Sequence, residues 1–359
     1  MPVPRPSDPA RPAGPLSERE QDVLRRVVQH FIGTAAPVGS KALAGEVELS
    51  SASVRATMRS LEDAGYLGHP HTSAGRVPTE RGYRLYVDDL LDVTGLSARE
   101  ADLLREAVRR RLGDLDAVAR DTSRLLGQLS QLLGVVLTPQ LSTGVLDRLE
   151  VVPLASSRVL FVLALRGGLA RTVTAELDAE PEAAPLDAVV QRLNERLAGL
   201  TLAEIRRTGA DRVQDLAGAD RTGVVRVVLR DGPALFRDEA PAQRAAIGGA
   251  QHLVSQPEFN RPELVRDVVE LAESEDVVVH LLERPAVFDP AEPEGAVVLI
   301  GREVERGGPG GPSYSVVTAP YRVGGAVGAV AVIGPTRMDY GRAIVLVEHV
   351  ATLLAAPDD

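Results

Sequence analysis

The sequence predicts a multidomain α+β protein that begins with a winged helix-turn-helix. Three observations point there. Ser51 to Ala64 places Val54, Met58 and Leu61 at i, i+4 and i+7, the apolar stripe of an amphipathic helix. Behind it Gly65 offers a left-handed C-cap, and Gly68, Pro70 and Gly75 punctuate a short hairpin ending in Arg76. Beyond Gly144 the hydrophobic period changes. Apolar runs of strand length are separated by glycine turns and flanked by helical patterns, an α+β arrangement.

The elements follow in order. The stretch to Gly14 is Pro-rich, lacks the apolar segment of a signal peptide and reads as a disordered tail. Leu16, Ser17 and Glu20 supply a hydrophobic staple and a capping box for a helix over Glu18 to Thr34. Pro37 and Gly39 break the chain. Ser40 is placed to cap a short helix to about Val47, and the helix at Ser51 follows. Thr79 caps a helix to about Asp92. Ser97 and Glu100 form a second capping box for Ala98 to Leu112, and a third helix spans about Leu115 to Leu133. These last two read either as a linker packed on the next domain or as part of a dimer interface. Strands are expected at Leu149 to Pro153, Arg158 to Leu165, Ala170 to Leu177, Val277 to Leu281, Ala296 to Ile300, Tyr314 to Ala319 and Val327 to Ile333. Gly167-Gly168 makes a hairpin turn, Leu186 to Leu197 a helix, Gly307 to Gly311 a flexible loop and Gly341 to Leu354 the last helix.

Composition narrows the function. A chain of 359 residues with 44% hydrophobic content has ample core for two or three domains. No apolar run reaches the ~18 residues of a membrane span. The absence of Cys excludes disulfides, thiolate metal sites and cysteine nucleophiles, and fits a cytoplasmic location. The six histidines are scattered without a helical pair, and neither a nucleophile elbow nor a Walker loop is present. No catalysis, metal or cofactor is therefore expected. Gly324, Gly325 and Gly328 lead into a strand and not a helix, so they suit close packing better than phosphate binding.

Net charge is −10, so nucleic-acid binding would require a local basic face. Ser53 to Tyr86 holds five arginines against three acids, a modest excess in an acidic chain. On the Ser51 helix, Ser53, Ala56 and Arg59 share a narrow face. Small residues there let a helix approach base edges, and Arg reads guanine with two hydrogen bonds. The hairpin string His71, Thr72, Ser73, Ala74, Gly75, Arg76 offers donors suited to phosphate oxygens. Lys41 is the single lysine among arginines, placed where a compact ammonium would meet phosphate. The candidate DNA-binding residues are Ser40, Lys41, Ser51, Ser53, Arg55, Ala56, Thr57 and Arg59 from the helices, and His71, Thr72, Ser73 and Arg76 from the wing.

Three blocks carry a resemblance. PVGSKAL (Pro37 to Leu43), SLEDAGYL (Ser60 to Leu67) and PHTSAGRVPTERGYRLYVD (Pro70 to Asp88) form the first. GGAQHLVSQPEF (Gly248 to Phe259) is the second, and VTAPYRVGGAVGAVAVIGPTRMDYGRAI (Val317 to Ile344) the third. Together they resemble the HrcA family of heat-inducible transcription repressors. The resemblance implies a winged-helix domain at 15–92, a helical connector at 93–140, and a GAF-like domain at 141–201 and 270–359 interrupted by an inserted dimerising domain at 202–269. It also implies a homodimer on an inverted-repeat operator in double-stranded DNA upstream of chaperone operons, with the chaperonin as modulator and release on heat stress. One departure stands out. The family usually has an Asn and an acid after the helix arginine, where this chain has Ala56 and Thr57. Asn reads adenine, so the departure bears on the operator sequence. An alternative reading is a ligand-responsive regulator whose GAF-like domain senses a metabolite.

Overall fold

The computed structural model describes residues 16–47, 49–70, 75–109, 115–155, 157–178, 183–237, 244–282, 295–304 and 314–355. The expected tail at 1–14, the glycine loop at 307–311 and the wing residues His71, Thr72 and Ser73 lie outside these.

The N-terminal head contains α1 (Glu18–Thr34), α2 (Ser40–Ala44), α3 (Ser51–Asp63), β1 (Leu67–Gly68), β2 (Val77–Pro78) and α4 (Glu80–Leu85). Ser17 and Glu20 form the expected capping box on α1. The cap of α2 is Gly39, and Ser40 is its first helical residue. Gly65 takes φ +81° behind α3, and Tyr66 N–H donates to Leu61 O at 2.9 Å, closing the helix end. Strands β1 and β2 pair antiparallel with Leu67 opposite Pro78. Val38 bridges to Arg76 and adds a third line to the hairpin base. Thr79 caps α4, which runs on as a wider turn over Tyr86–Leu90. Leu91 to Ser97 then carries neither helix nor strand.

The rest of the chain follows as α5 (Ala98–Arg109), α6 (Leu115–Ser130), β3 (Leu133–Gln140), β4 (Leu146–Ala155), β5 (Arg158–Leu165), β6 (Ala170–Glu176), α7 (Ala183–Leu197), α8 (Leu202–Val213) and α9 (Val224–Leu235). It closes with β7 (Ala245–Gly248), α10 (Ala250–Val254), α11 (Pro262–Glu273), α12 (Glu275–Leu282), β8 (Val297–Ile300), β9 (Tyr314–Val323), β10 (Ala326–Pro335) and α13 (Tyr340–Ala355).

These elements build two antiparallel sheets. Five strands run in the order β7-β3-β10-β9-β8, and three in the order β4-β5-β6. The five-stranded sheet buries both faces. Val136, Val317, Val330 and Val332 join one core cluster with Leu126 of α6 and Leu346 of α13. Leu133, Val135, Ala331 and Ile333 join the other with Leu253, Val268 and Val278 of α10–α12. The three-stranded sheet buries only the face bearing Leu149, Phe161 and Leu163, against Leu193 of α7, Ile205 of α8 and Val228 of α9.

Several expectations change. Helix α6 stops at Ser130 because Gln131 takes φ +58°, and Leu133 opens β3, so part of the expected connector is a strand inside the main sheet. Val277 to Leu281, read as a strand, is α12. Val278, Val279, Leu281 and Leu282 are buried at helical spacing, and Glu275 and Asp276 in its first turn suit the helix dipole. The segment interrupting the five-stranded sheet runs from β3 to β7, with β4–β6 and α7–α9 between them, and not from 202 to 269. The reason is local. Ala245 to Gly248 is a four-residue strand beside two glycines, too short to show a period.

The two sheets touch through glycine hairpin tips. Gly167 takes φ +77° and Gly324 φ +57°, and a Cβ on Gly324 would lie 1.4 Å from Arg166 O. No other residue fits that contact. Close packing was the expected role of the Gly324 turn.

Candidate nucleic-acid interface

The exposed band of α3 is Ala52, Arg55, Ala56, Arg59 and Asp63, spaced as one face of a helix. Val54, Thr57, Met58 and Leu61 turn inward. Both flanks of this band are pinned. On one side Arg19 of α1 donates from Nε to Thr57 Oγ1 at 3.1 Å and from Nη2 to Ser53 Oγ at 2.6 Å and Ser53 O at 3.1 Å. Ser60 Oγ donates to Glu20 Oε1 at 2.8 Å. The other oxygen of Glu20 accepts from Ser17 N at 3.0 Å and Ser17 Oγ at 2.7 Å. Hydrogen bonds from Ser17 and then Ser60 hold the Glu20 carboxyl below its usual pKa, so it stays charged. On the opposite flank Ser51 Oγ lies 3.2 Å from Ser40 Oγ of α2.

This sorts the expected residues. Arg55, Ala56 and Arg59 are exposed together, and neither arginine forms an ion pair with a described residue. Lys41 is exposed on α2. Ser40, Ser51 and Ser53 sit at the flanks, half-buried and hydrogen-bonded. Thr57 is only 6% exposed and faces α1, so it does not share the exposed band. Ala52, in the middle of that band, and Arg19, beside it, were not among the residues singled out. A helical projection would have found Ala52. Arg19 lies 34 and 38 residues from its partners in sequence, and only tertiary packing brings it there.

The hairpin base is held from α3. Glu62 lies 2.5 Å from His69 Nδ1 and 2.6 Å from Arg76 Nη2, so one carboxylate faces both sides of the hairpin base. The Arg76 side chain is 25% exposed. Gly75 is required there, because a Cβ would come within 2.6 Å of Val38 C and O. Arg81 covers the Tyr66 ring at 4.7 Å, beside the turn that leaves α3.

Elsewhere an open cavity of about 500 Å³ is lined by Arg124, Gln128, Gln251 and His252 beside Gly248 and Gly249. Among the described residues no cluster of three or more His, Asp or Glu could hold a metal ion. None of the described helices is long and apolar enough to cross a membrane.

The fold and this face define a mixed helix-and-sheet protein whose small head presents an arginine-bearing helix away from a larger sheet body. Comparison places it more narrowly. The chain belongs to the HrcA family: the model of the HrcA protein C-terminal domain matches residues 116–344. The heat-inducible transcription repressor HrcA of Chlorobium phaeobacteroides (strain BS1) is 39% identical over 345 residues, covering 95% of this chain and 97% of its own. That of Prosthecochloris aestuarii (strain DSM 271 / SK 413) is 38% identical over 349 residues at the same coverage. A crystal structure described as a hypothetical protein at 2.2 Å resolution shares the fold, with a TM-score of 0.58 and 22% identity over 95% of this chain and 98% of that one.

Proposed function

We propose that this chain is a cytoplasmic transcription repressor of heat-shock operons that binds an inverted-repeat operator as a homodimer. The head is read as a winged helix-turn-helix with α3 in the major groove, and the five-stranded body as GAF-like. The observation that carries the reading is the exposed band of α3. Arg55 and Arg59, which form no ion pair with a described residue, stand one turn apart, and the small side chains of Ala52 and Ala56 beside them leave room for base edges. Lys41 and the wing, including His71, Thr72, Ser73 and Arg76, supply phosphate contacts.

The dimer is assigned to the unit β4–β6 with α7–α9. Val152 is 42% and Leu154 51% exposed on β4, and neither they nor Leu160 and Val162 of β5 pack on a core cluster. An uncovered apolar sheet face is a docking surface, and one winged helix alone spans too few base pairs for tight binding at physiological salt. The chaperonin is assigned as modulator: folding help keeps the repressor active, and its diversion to other clients under heat stress releases the operator.

A selection from random duplexes tests the reading. The protein should enrich an inverted repeat. Arg59→Ala should cost ~1–3 kcal/mol and relax one base position, while Arg76→Ala should weaken all sequences alike and lower the salt slope by about one. Ala56→Asn should shift base preference more than affinity. Equal effects on selected and random DNA would sink these roles. Loss of binding on heating that added chaperonin does not restore would sink the modulator. The cavity at Gly248 favours one second reading, a ligand-responsive regulator, which ligand-dependent melting shifts across a metabolite panel would reveal.

A further inference from the structure

We propose that Arg337, with Arg84 and Arg342, forms a clamp that fixes the orientation of the head on the body, and that Arg337 is a positioning residue for reading two half-sites. The second part rests on the DNA-binding reading above.

The third sequence block, IGPTRMDYGRAI, lies at the far end of the chain from the head, yet its side chains reach back to it. Arg337 is 11% exposed and sits between β10 and α13. Its Nε donates to Glu258 Oε1 at 2.6 Å, and its Nη2 to Glu258 Oε2 at 3.3 Å and Gln256 Oε1 at 3.0 Å. Its Nη1 donates to the carbonyl of Ile32 in the last turn of α1. That carbonyl has no partner within its own helix, so the guanidinium caps a head helix from the body. A planar fork reaches these acceptors at once, which an ammonium does not.

A second contact lies at α4. Arg84 Nη2 donates to Val298 O on β8 at 2.8 Å, and its Nε to Glu303 Oε1 at 3.1 Å. Next to it the Tyr83 ring stands 5.9 Å from the Tyr340 ring, and Tyr340 is fully buried with its hydroxyl 2.9 Å from Ser315 Oγ.

The only covalent link beside these contacts is the segment Leu91 to Ser97, which has no regular structure. Its near end is held by Arg25 Nε on Leu90 O at 3.2 Å. Its far end is held by Arg342, which bonds Glu100 Oε1 at 2.5 Å and Leu129 O at 3.1 Å. With the clamp intact, each protomer presents α3 at one angle. With it open, the head swings on a seven-residue tether, and the second half-site is met at lower effective concentration.

The test uses full-length chain, whose lack of Cys allows Glu18→Cys and Val269→Cys to carry a fluorophore pair, diluted with unlabelled protein. Arg337→Ala should broaden the head-to-body distance distribution. It should weaken binding to a selected two-half-site duplex by about tenfold or more while changing binding to a single half-site by less than about twofold. Arg84→Ala and Arg337→Lys should do the same to a smaller extent, and they decide the matter if Arg337→Ala does not fold. An unchanged distance distribution, or equal loss on both duplexes, overturns the clamp. The distance measurement needs no DNA, so a wild-type protein that binds no duplex would overturn the proposed function while the clamp is still judged.

Discussion

The two sheets make opposite use of the same kind of strand. In the five-stranded sheet every residue of β10 is buried, because helices cover both faces. In the three-stranded sheet β5 alternates buried with half-buried residues, and β6 alternates half-buried with exposed ones. The first sheet is closed to further packing. On the second, Val152, Leu154, Leu160 and Val162 of the outer face pack on no core cluster of the described residues, while the inner face anchors three helices. One sheet serves as scaffold and the other offers a surface, a division set by how many faces are covered and not by strand chemistry.

The largest effect that would test this contrast is on the inner face of the open sheet. Phe161→Ala should cost ~3–5 kcal/mol, read as a shift in the denaturant midpoint. Ile333→Ala on β10 should cost ~2–5 kcal/mol, and Val332→Ala, its neighbour facing the opposite helices, should also destabilise. If Val332→Ala were neutral, the two-faced description of that sheet would fail. On the open face, Leu154→Asp should leave monomer stability within ~0.5 kcal/mol, as for surface substitutions, yet shift sedimentation from dimer to monomer. A dimer that persists would move the interface elsewhere.

The smallest effect is in acid, where the two units should behave alike because each has a glutamate capping box. Hydrogen bonds from Arg342 and Ser97 push Glu100 down to about 2, and those from Thr201 lower Glu204. Depressed carboxyls contribute fully above the ordinary 4.5 and lose that contribution as pH falls, for Glu100 through about 2. Far-UV circular dichroism should therefore stay flat from pH 8 to 5. A helix loss in that range would point to another group.

What could be read from the sequence followed from period and capping. Arg158 to Leu165 is a β-rich apolar run of strand length and was placed to the residue, as was α1 with its capping box. Where packing is two-sided the period vanishes, so Val277 to Leu281 of α12, four apolar residues and His280, looked like a strand. Strand β3 was hidden because the leucine stripe of α6 runs up to it, and only the positive φ at Gln131 divides them. At the candidate site Arg55 and Arg59 were legible from the helical face. The inward turn of Thr57 was legible too, since it stands three residues after Val54 and four before Leu61 on the buried stripe, but its hydrogen bond from Arg19 of another helix was not.

Lys41 is the chain's one side-chain amine, and it stands exposed on α2. Amine-directed acylation, whether by a laboratory reagent or a cellular acyl donor, would therefore remove a single side-chain charge, and that charge lies on the head beside α3. An arginine-based surface is otherwise inert to such chemistry, which makes this position a one-site chemical reporter of whether bound DNA shields the head.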